Sequence, residues 1–371
     1  MTQSNADKAG SVPILGWTSQ YFSNSLDADF IMEQAKALVA SGMAECGYRY
    51  VIIHEGWCAG KDEKGVLMSN KSKFPDMAAL VKELNGMGLK AGLYVSAGQI
   101  GGAALQSNCS RILLDWGFEL VSIGDVQDES AARAICECIR KTKNDVLIDL
   151  RTDGFPGAWV AEIANQWNFY DVLDKDFYNV SRHQMDNCRE EDNDETKSAT
   201  RERAKHAGPG HFYNVGIMPI GTGMDFYRDQ AIFSDYCILT CPLITGIDLT
   251  KMSEATRGIL TNKAAIAINQ DSLGAPGYCA QYYDPWHCRY IKPLADGTTA
   301  FLMLCRCHGG GTATIDSVKD LKLDNQALFE VFDVWEGHSL GTHKGLFSIF
   351  VQTSDKGTVP CARLLKVTVQ K

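Results

Sequence analysis

Asp125 is the carboxylate whose place in the chain points most directly to chemistry. It follows Gly124 at the end of 118–123, a short apolar run that predicts a strand. In a barrel of alternating strands and helices, residues just past a strand face the active site. Asp125 could therefore serve as a nucleophile. The alternative is an Asp that caps a helix or stabilises a loop.

A second group, His54 beside Glu55, follows the predicted strand Tyr50–Ile53. A His next to a carboxylate can exchange protons near neutral pH. The alternative is a hydrogen-bonded pair that lines a pocket. A metal held by His54, Glu55 and Asp125 would lack any recognised ligand spacing, so we expect no metal and no cofactor.

Composition limits the partners of the chain. Its net charge of −9 argues against nucleic acid or an anionic membrane surface as the main partner, and no stretch is apolar enough to span a bilayer. The thirteen Cys are odd in number and scattered, which favours reduced thiols, and the first residues lack a signal-peptide pattern. We therefore expect a cytoplasmic protein.

The elements that position these residues alternate between strand and helix up to about residue 273. This predicts an α/β fold, a (β/α)8 barrel over 1–273. Expected elements include helices at 103–116 and 158–166 and a strand at 169–173. The charged segment 182–203 predicts a solvated loop or an exposed helix. Short strands after residue 273 predict a small antiparallel β-sandwich domain over 274–371.

Several stretches together resemble glycoside hydrolase family 27, the α-galactosidases and α-N-acetylgalactosaminidases. They read LGWTSQYF, GYRYVIIHEGW, KFPDMAALVKELNGMGLKAGLY, AGPG, CPLITGIDL and AAIAINQDSLG. The resemblance implies a barrel that cleaves α-linked galactose or N-acetylgalactosamine with retention. Such chemistry requires two carboxylates about 5 Å apart, one as nucleophile and one as acid/base.

The resemblance also implies that both reacting carboxylates are displaced. It puts Gly124 at the nucleophile, so that Asp125 stands one residue late. The family acid/base follows a Trp-Arg pair, which here reads Trp167 and Asn168. An ungapped match puts Val172 at the acid/base position, whereas a one-residue gap puts Asp171 there.

The positions that hold the sugar differ as well. Two family Asp residues that grip galactose match His54 and Glu55, and a family Glu matches Arg151. Two further family Asp residues match Asn214 and Gly216. Losing these carboxylates while gaining an Arg makes unmodified galactose an unexpected ligand.

Other residues near the strand ends remain candidates for substrate binding. Trp17, Trp57 and Tyr94 could stack on a sugar or belong to the core. Arg151 and Asp153 could pair with each other, or Arg151 could bind an anionic group. The full set of expected substrate-binding residues is Trp17, Trp57, Tyr94, Arg151, Asp153, Asn168 and Asn214.

These residues predict a carbohydrate-active protein whose partner is a small carbohydrate or glycoside. It could be a glycosidase with displaced carboxylates Asp125 and Asp171. It could instead catalyse an isomerisation or an elimination reaction on a sugar, with His54 and Glu55 transferring the proton. The rival is a non-catalytic sugar-binding or regulatory protein, since one scaffold hosts many functions. A homo-oligomer is possible.

Overall fold

The computed structural model describes residues 10–152, 157–168, 205–284, 287–305, 309–353 and 359–370. The predicted strand at 169–173 and the charged segment 182–203 lie outside these ranges. Of the described residues, a first compact unit holds those up to Asn168 with Gly210–Met218 and Pro242–Met252, and a second unit holds the rest. The predicted division at residue 273 stays a prediction.

The first unit is built on eight parallel strands, which confirms the predicted barrel. Their spatial order is β8-β1-β2-β3-β4-β5-β6-β7, and Met218 forms a parallel bridge to Thr245 of β8. The strands are β1 Leu15–Thr18, β2 Tyr50–Ile53, β3 Lys90–Ser96, β4 Leu120–Val126, β5 Leu147–Thr152, β6 Gln166–Asn168, β7 Phe212–Tyr213 and β8 Leu243–Thr245.

Helices follow several of these strands, and Asp side chains begin many of them. The carboxylates of Asp27, Asp76 and Asp128 each accept a backbone N–H of a first turn, which satisfies a donor that has no partner within the helix. The helices are Ala28–Ala40, Met77–Gly86, Ala97–Ile100, Leu105–Ser110, Glu129–Thr142, Val160–Ile163, Phe226–Ile238, Glu254–Leu260 and Lys263–Asn269, with a π-helical turn at Arg111–Asp115.

The predicted helix at 103–116 is confirmed as Leu105–Ser110 followed directly by the π-helical turn Arg111–Asp115, whereas the predicted helix at 158–166 is wrong in extent. The segment 158–166 contains only Val160–Ile163, because Gln166 already pairs with Asp149 as the first residue of β6. Short apolar segments fit a buried helix or a buried strand equally well, so periodicity alone could not place these ends.

The second unit carries the antiparallel strands predicted for the C-terminal part. One sheet has the order β9-β10-β11-β16-β13-β14, and β12 pairs with β15 in a second sheet. Apolar side chains of both sheets form one core, for example Phe301 and Phe329 with Ile315 and Phe347. The strands are β9 Tyr278–Asp284, β10 His287–Pro293, β11 Thr299–Cys305, β12 Gly309–Asp316, β13 Leu328–Asp333, β14 His338–Lys344, β15 Leu346–Thr353 and β16 Ala362–Val369.

Candidate functional site

The candidate site lies at the carboxyl ends of β2 to β6, where a barrel collects its functional groups. Register places Tyr94 of β3 beside Ser122 of β4, and Ser122 beside Asp149 of β5. Arg151, two residues after Asp149, stands beside Asn168 of β6. Side chains two residues apart on a strand share a face, so these polar groups point to the same side of the sheet.

A buried ion pair organises this cluster. The Nε of Arg151 donates to Oδ2 of Asp149 at 3.3 Å, and the hydroxyl of Ser122 donates to the same oxygen at 2.6 Å. Nη1 of Arg151 donates to Oε1 of Gln20 at 2.8 Å. Asp149 is completely buried and its Oδ1 has no hydrogen-bond partner in the described chain, so its charge depends on Arg151.

His54 is held as a neutral imidazole. Its ring stacks on the ring of Tyr94 with centroids 3.9 Å apart, and its Nε2 lies 3.5 Å from Nη1 of Arg151. Arg has only donors, so Nε2 must be the acceptor and the ring proton sits on Nδ1. Burial, and then the charge of Arg151, lower the pKa of His54 to about 3. This side chain is therefore a poor base near neutral pH.

Glu55 does not pair with His54. Its side chain is exposed and makes no hydrogen bond or ion pair with any described residue, whereas His54 is buried against Tyr94 and Arg151. Gly56 follows with a φ of +104°, in the left-handed region. The expected exchange of protons between adjacent His and Glu side chains therefore lacks its geometry.

The hydroxyl of Tyr94 fills the space beside Gly124. A Cβ on residue 124 would lie 2.0 Å from that hydroxyl and 2.6 Å from Cζ of the ring. Gly124 pairs with Ser96 and has no positive φ, so the requirement for glycine here is steric. The position that the family resemblance assigns to the nucleophile is thus closed to any side chain.

Asp125 lies on a bulge. The register between β4 and β5 shifts between Ile123 and Val126, and Asp125 has a φ of +54°. A bulge re-aims a side chain, and left-handed backbone at a non-glycine residue costs free energy. The carboxylate of Asp125 is exposed and makes no hydrogen bond or ion pair with the described chain.

Two of the expected sugar-stacking aromatics are core residues. Trp17 is fully buried, stacks on Phe22 with ring centroids 6.1 Å apart, and donates its indole N–H to the Ile247 carbonyl at 2.8 Å. Trp57 packs edge-on against Trp116 and donates to the carbonyl of Tyr94 at 2.8 Å. Neither ring offers a face to a ligand, which favours the core alternative for both.

The remaining expected site residues divide in two. Asn168 and Asn214 are both buried, and Oδ1 of Asn214 accepts the N–H of Gly216 at 2.9 Å. Asp153 and Asp171 lie outside the described residues. Within the described ranges, no group of His, Cys, Asp and Glu could hold a metal ion, and no helix could cross a membrane.

Sequence reasoning missed Gln20, Ser122 and Asp149 as members of the site. A signal was available for Asp149. Asp149 and Arg151 alternate in LIDLRT, and alternation puts them on one face of the strand. Gln20 follows β1 in a loop and gave no comparable signal, because its contact with Arg151 spans 131 positions of sequence.

The fold is that of the α-galactosidases. The crystal structure of alpha-galactosidase I from Mortierella vinacea superposes with a TM-score of 0.83 at 23% identity, covering 98% of both chains. Alpha-galactosidase A of Cellvibrio japonicus is 29% identical over 93% of this chain and 90% of its own length. An alpha-galactosidase of Oryza sativa subsp. japonica is 28% identical over 93% of this chain and 84% of its own length.

The family model described as alpha galactosidase A matches residues 18–129 and 154–271. The chain therefore belongs to this family, glycoside hydrolase family 27, as the sequence motifs predicted. Residues 130–153 lie outside the match, and they include Asp149 and Arg151. The buried ion pair thus lies between the two matched segments.

Proposed function

We propose that this protein binds a carbohydrate at the carboxyl ends of its barrel strands and does not run the family's double displacement from position 124. The observation that carries the proposal is the hydroxyl of Tyr94, which occupies the space that a side chain at Gly124 would need. A retaining hydrolase must place a carboxylate about 5 Å from its acid/base, and residue 124 can carry none.

The electrostatics support a binding role in place of proton transfer. A base for isomerisation or elimination should have a pKa near the working pH. His54 has a pKa of about 3, and Arg151 donates to its Nε2, so its lone pair is already engaged. The cluster instead offers hydrogen-bonding groups such as Gln20 and the guanidinium of Arg151, which suit the hydroxyl groups of a sugar.

A second candidate function is hydrolysis with Asp125 as a displaced nucleophile, and one specific observation supports it. Asp125 is an exposed carboxylate without a partner in the described chain, held in left-handed backbone by a bulge. Strained non-glycine residues cluster at functional sites. This function requires that the bulge turns Asp125 toward the bound sugar.

One experiment separates the two functions. Purified protein is tested by calorimetry for binding to a panel of monosaccharides, and by absorbance for cleavage of nitrophenyl α-galactoside and nitrophenyl α-N-acetylgalactosaminide. We expect binding of at least one sugar and no cleavage at ordinary glycosidase rates. Arg151→Gln should weaken binding, and Arg133→Gln, at a side chain that is 39% exposed, should not.

Cleavage at ordinary rates that disappears in Asp125→Asn would overturn the proposal in favour of the displaced nucleophile. Cleavage that survives in Asp125→Asn would contradict both functions and point to carboxylates outside the described residues. Absence of binding to every sugar tested, with no cleavage, would remove the barrel cluster as a carbohydrate site.

A further inference from the structure

The second unit exposes one face of its two-stranded sheet. Strands β12 and β15 pair antiparallel, with Thr312 opposite Phe350 and Thr314 opposite Ser348. Alternate residues of the pair enter the core, among them Ile315 and Phe347. The other set points away from the core and forms what we call the outer face: Gly310, Thr312, Thr314, Ser348, Phe350 and Gln352, with Asp316 and the exposed Leu346 at the end farthest from Gly310.

An aromatic ring lies across the centre of the outer face. Phe350 is 57% exposed, and a Cβ on Gly310 would lie 2.5 Å from Cζ of that ring. Gly310 has no positive φ, so glycine is needed there for space. Because Phe350 pairs with Thr312, two residues from Gly310, the ring must lean along the strand direction and rest on the sheet. One face of the ring is then turned to solvent.

Uncharged polar side chains surround the ring. Those of Thr312, Thr314, Ser348 and Gln352 make no hydrogen bond to the part of the chain that is described. Their hydroxyl and amide groups can both donate and accept. One aromatic ring among groups that can both donate and accept hydrogen bonds matches the surface of a sugar, which carries C–H groups on one face and hydroxyl groups at its rim.

We propose that the outer face is a second carbohydrate-binding surface, on which Phe350 stacks against the apolar face of a pyranose ring. The C–H groups of that face carry a small positive charge, and the face of an aromatic ring is negative. The sugar hydroxyls at the rim would bond to Thr312, Ser348 and Gln352. This surface uses no residue of the barrel cluster, so it goes beyond the proposed function.

The test is native affinity electrophoresis of the whole protein in gels that contain soluble galactomannan, xyloglucan or dextran. We expect at least one polysaccharide to retard the protein relative to a gel without it. Phe350→Ala should raise the dissociation constant about tenfold or more, which corresponds to the loss of about 1.4 kcal/mol of binding free energy. Gln352→Ala, which keeps the ring, should weaken retardation less.

Two control variants show whether retardation depends on this surface. Phe226→Ala removes an equally large ring that is 44% exposed elsewhere in the same unit, and it should leave retardation unchanged. Arg133→Gln, a substitution outside both the barrel cluster and the outer face, should also leave retardation unchanged. The melting temperature of each variant shows whether it is folded. If Phe350→Ala fails to fold, Gln352→Ala alone carries the test.

Several results would overturn the proposal. Absence of retardation in all three gels would do so, as would equal retardation of the wild type, Phe350→Ala and Gln352→Ala. In the latter case the ring would serve only to cover Gly310 and stabilise the sheet. A wild-type dimer that dissociates in Phe350→Ala without any retardation would identify the outer face as a contact between two copies of the chain.

Discussion

The hydroxyl of Tyr94 and the Cα of Gly124 lie on neighbouring strands so close together that no Cβ fits between them. An added Cβ at residue 124 would stand 2.0 Å from the hydroxyl oxygen. The ring cannot simply swing away, because it is stacked on His54 and lies under the guanidinium of Arg151, whose Cζ is 5.6 Å from the ring centroid. A substitution at either residue should therefore change the packing of the other.

Gly124→Ala should destabilise the protein by about 1–3 kcal/mol, the usual cost of an extra methyl group in a packed site. In a Tyr94→Ala background the same change should cost much less, because the obstructing ring is gone. Denaturant unfolding of the four proteins of this cycle measures the coupling between the two positions.

The matched control for this cycle is Gly98→Ala. A Cβ at Gly98 meets nothing within 4 Å, and the residue lies in the helix Ala97–Ile100, where alanine is the better helix former. It should be neutral or slightly stabilising in both backgrounds. If Gly124→Ala costs the same with and without the ring of Tyr94, the steric interpretation of Gly124 is wrong.

The ion pair of Asp149 and Arg151 should show strong non-additivity. Arg151→Met leaves the completely buried Asp149 without its countercharge, and Asp149→Asn leaves Arg151 without its own. Breaking a buried pair from one side costs about 3–5 kcal/mol, while replacing both partners is often nearly neutral. We expect the double variant to be more stable than Arg151→Met alone in urea unfolding.

A surface ion pair supplies the comparison. Arg133 contacts Glu129 at 2.7 Å and Glu162 at 2.7 Å, but its side chain is 39% exposed. Removal of such a pair costs about 0–1 kcal/mol. If Arg133→Met and Arg151→Met destabilise the protein equally, the interpretation of Asp149 and Arg151 as a buried ion pair is wrong.

His54 should make the protein less stable as the pH falls. Its folded pKa, about 3, lies below the ordinary value of 6.5, so the unfolded chain binds the proton first. The stability that neutral His54 contributes is fully present above pH 6.5 and is lost between pH 6.5 and 3, by up to about 1.4 kcal/mol per pH unit. His54→Gln should flatten this part of the profile of unfolding free energy against pH.

Imidazole carbon shifts in an NMR titration provide a direct check. The signal that disappears in His54→Gln should stay in its neutral position down to about pH 4. A midpoint for His54 near 6.5 would contradict the burial and the contact with Arg151, and would reopen proton transfer through this residue.

The sequence was sufficient for the barrel and insufficient for the orientation of its side chains. Runs such as YVII at β2 are apolar on both faces, as parallel strands buried on two sides are. For the same reason no alternation indicated that Trp17 packs against Phe22. Residue types near strand ends could be named, but which of them turn inward depends on packing from neighbouring strands.

Gly124 shows most clearly what could not be predicted from the sequence. The motif alone indicated that a carboxylate is missing and that Asp125 stands one residue late. Only the structure shows that Tyr94, which lies on another strand, has taken the space. The bulge at Asp125 could be anticipated only as an option, because a bulge depends on the register with β5, and register is a property of two strands together.

Asp229 should give a slope of the opposite sign, over a pH range that overlaps that of His54. It lies in the helix Phe226–Ile238 of the second unit, almost fully buried, and its Oδ2 accepts the N–H of Gly221 at 2.9 Å. Burial, and to a lesser degree the charge of Asp225, raise its pKa to about 7, although the bond from Gly221 opposes this. The folded protein therefore keeps the proton after the unfolded chain has lost it.

The sign of the effect follows from that difference. The stability that protonated Asp229 contributes is fully present below about pH 4 and is lost as the pH rises toward 7, by up to about 1.4 kcal/mol per pH unit. Asp229→Asn keeps an acceptor for Gly221 and cannot ionise, so the variant should gain stability over the wild type above pH 7. The difference in unfolding free energy between Asp229→Asn and the wild type, measured at pH 5 and at pH 8, tests this, because His54 is present in both proteins and its contribution cancels. If the unfolding free energies of the wild type and of Asp229→Asn change in parallel from pH 5 to pH 8, the carboxyl group of Asp229 is already ionised in the folded protein, as an exposed carboxyl group would be.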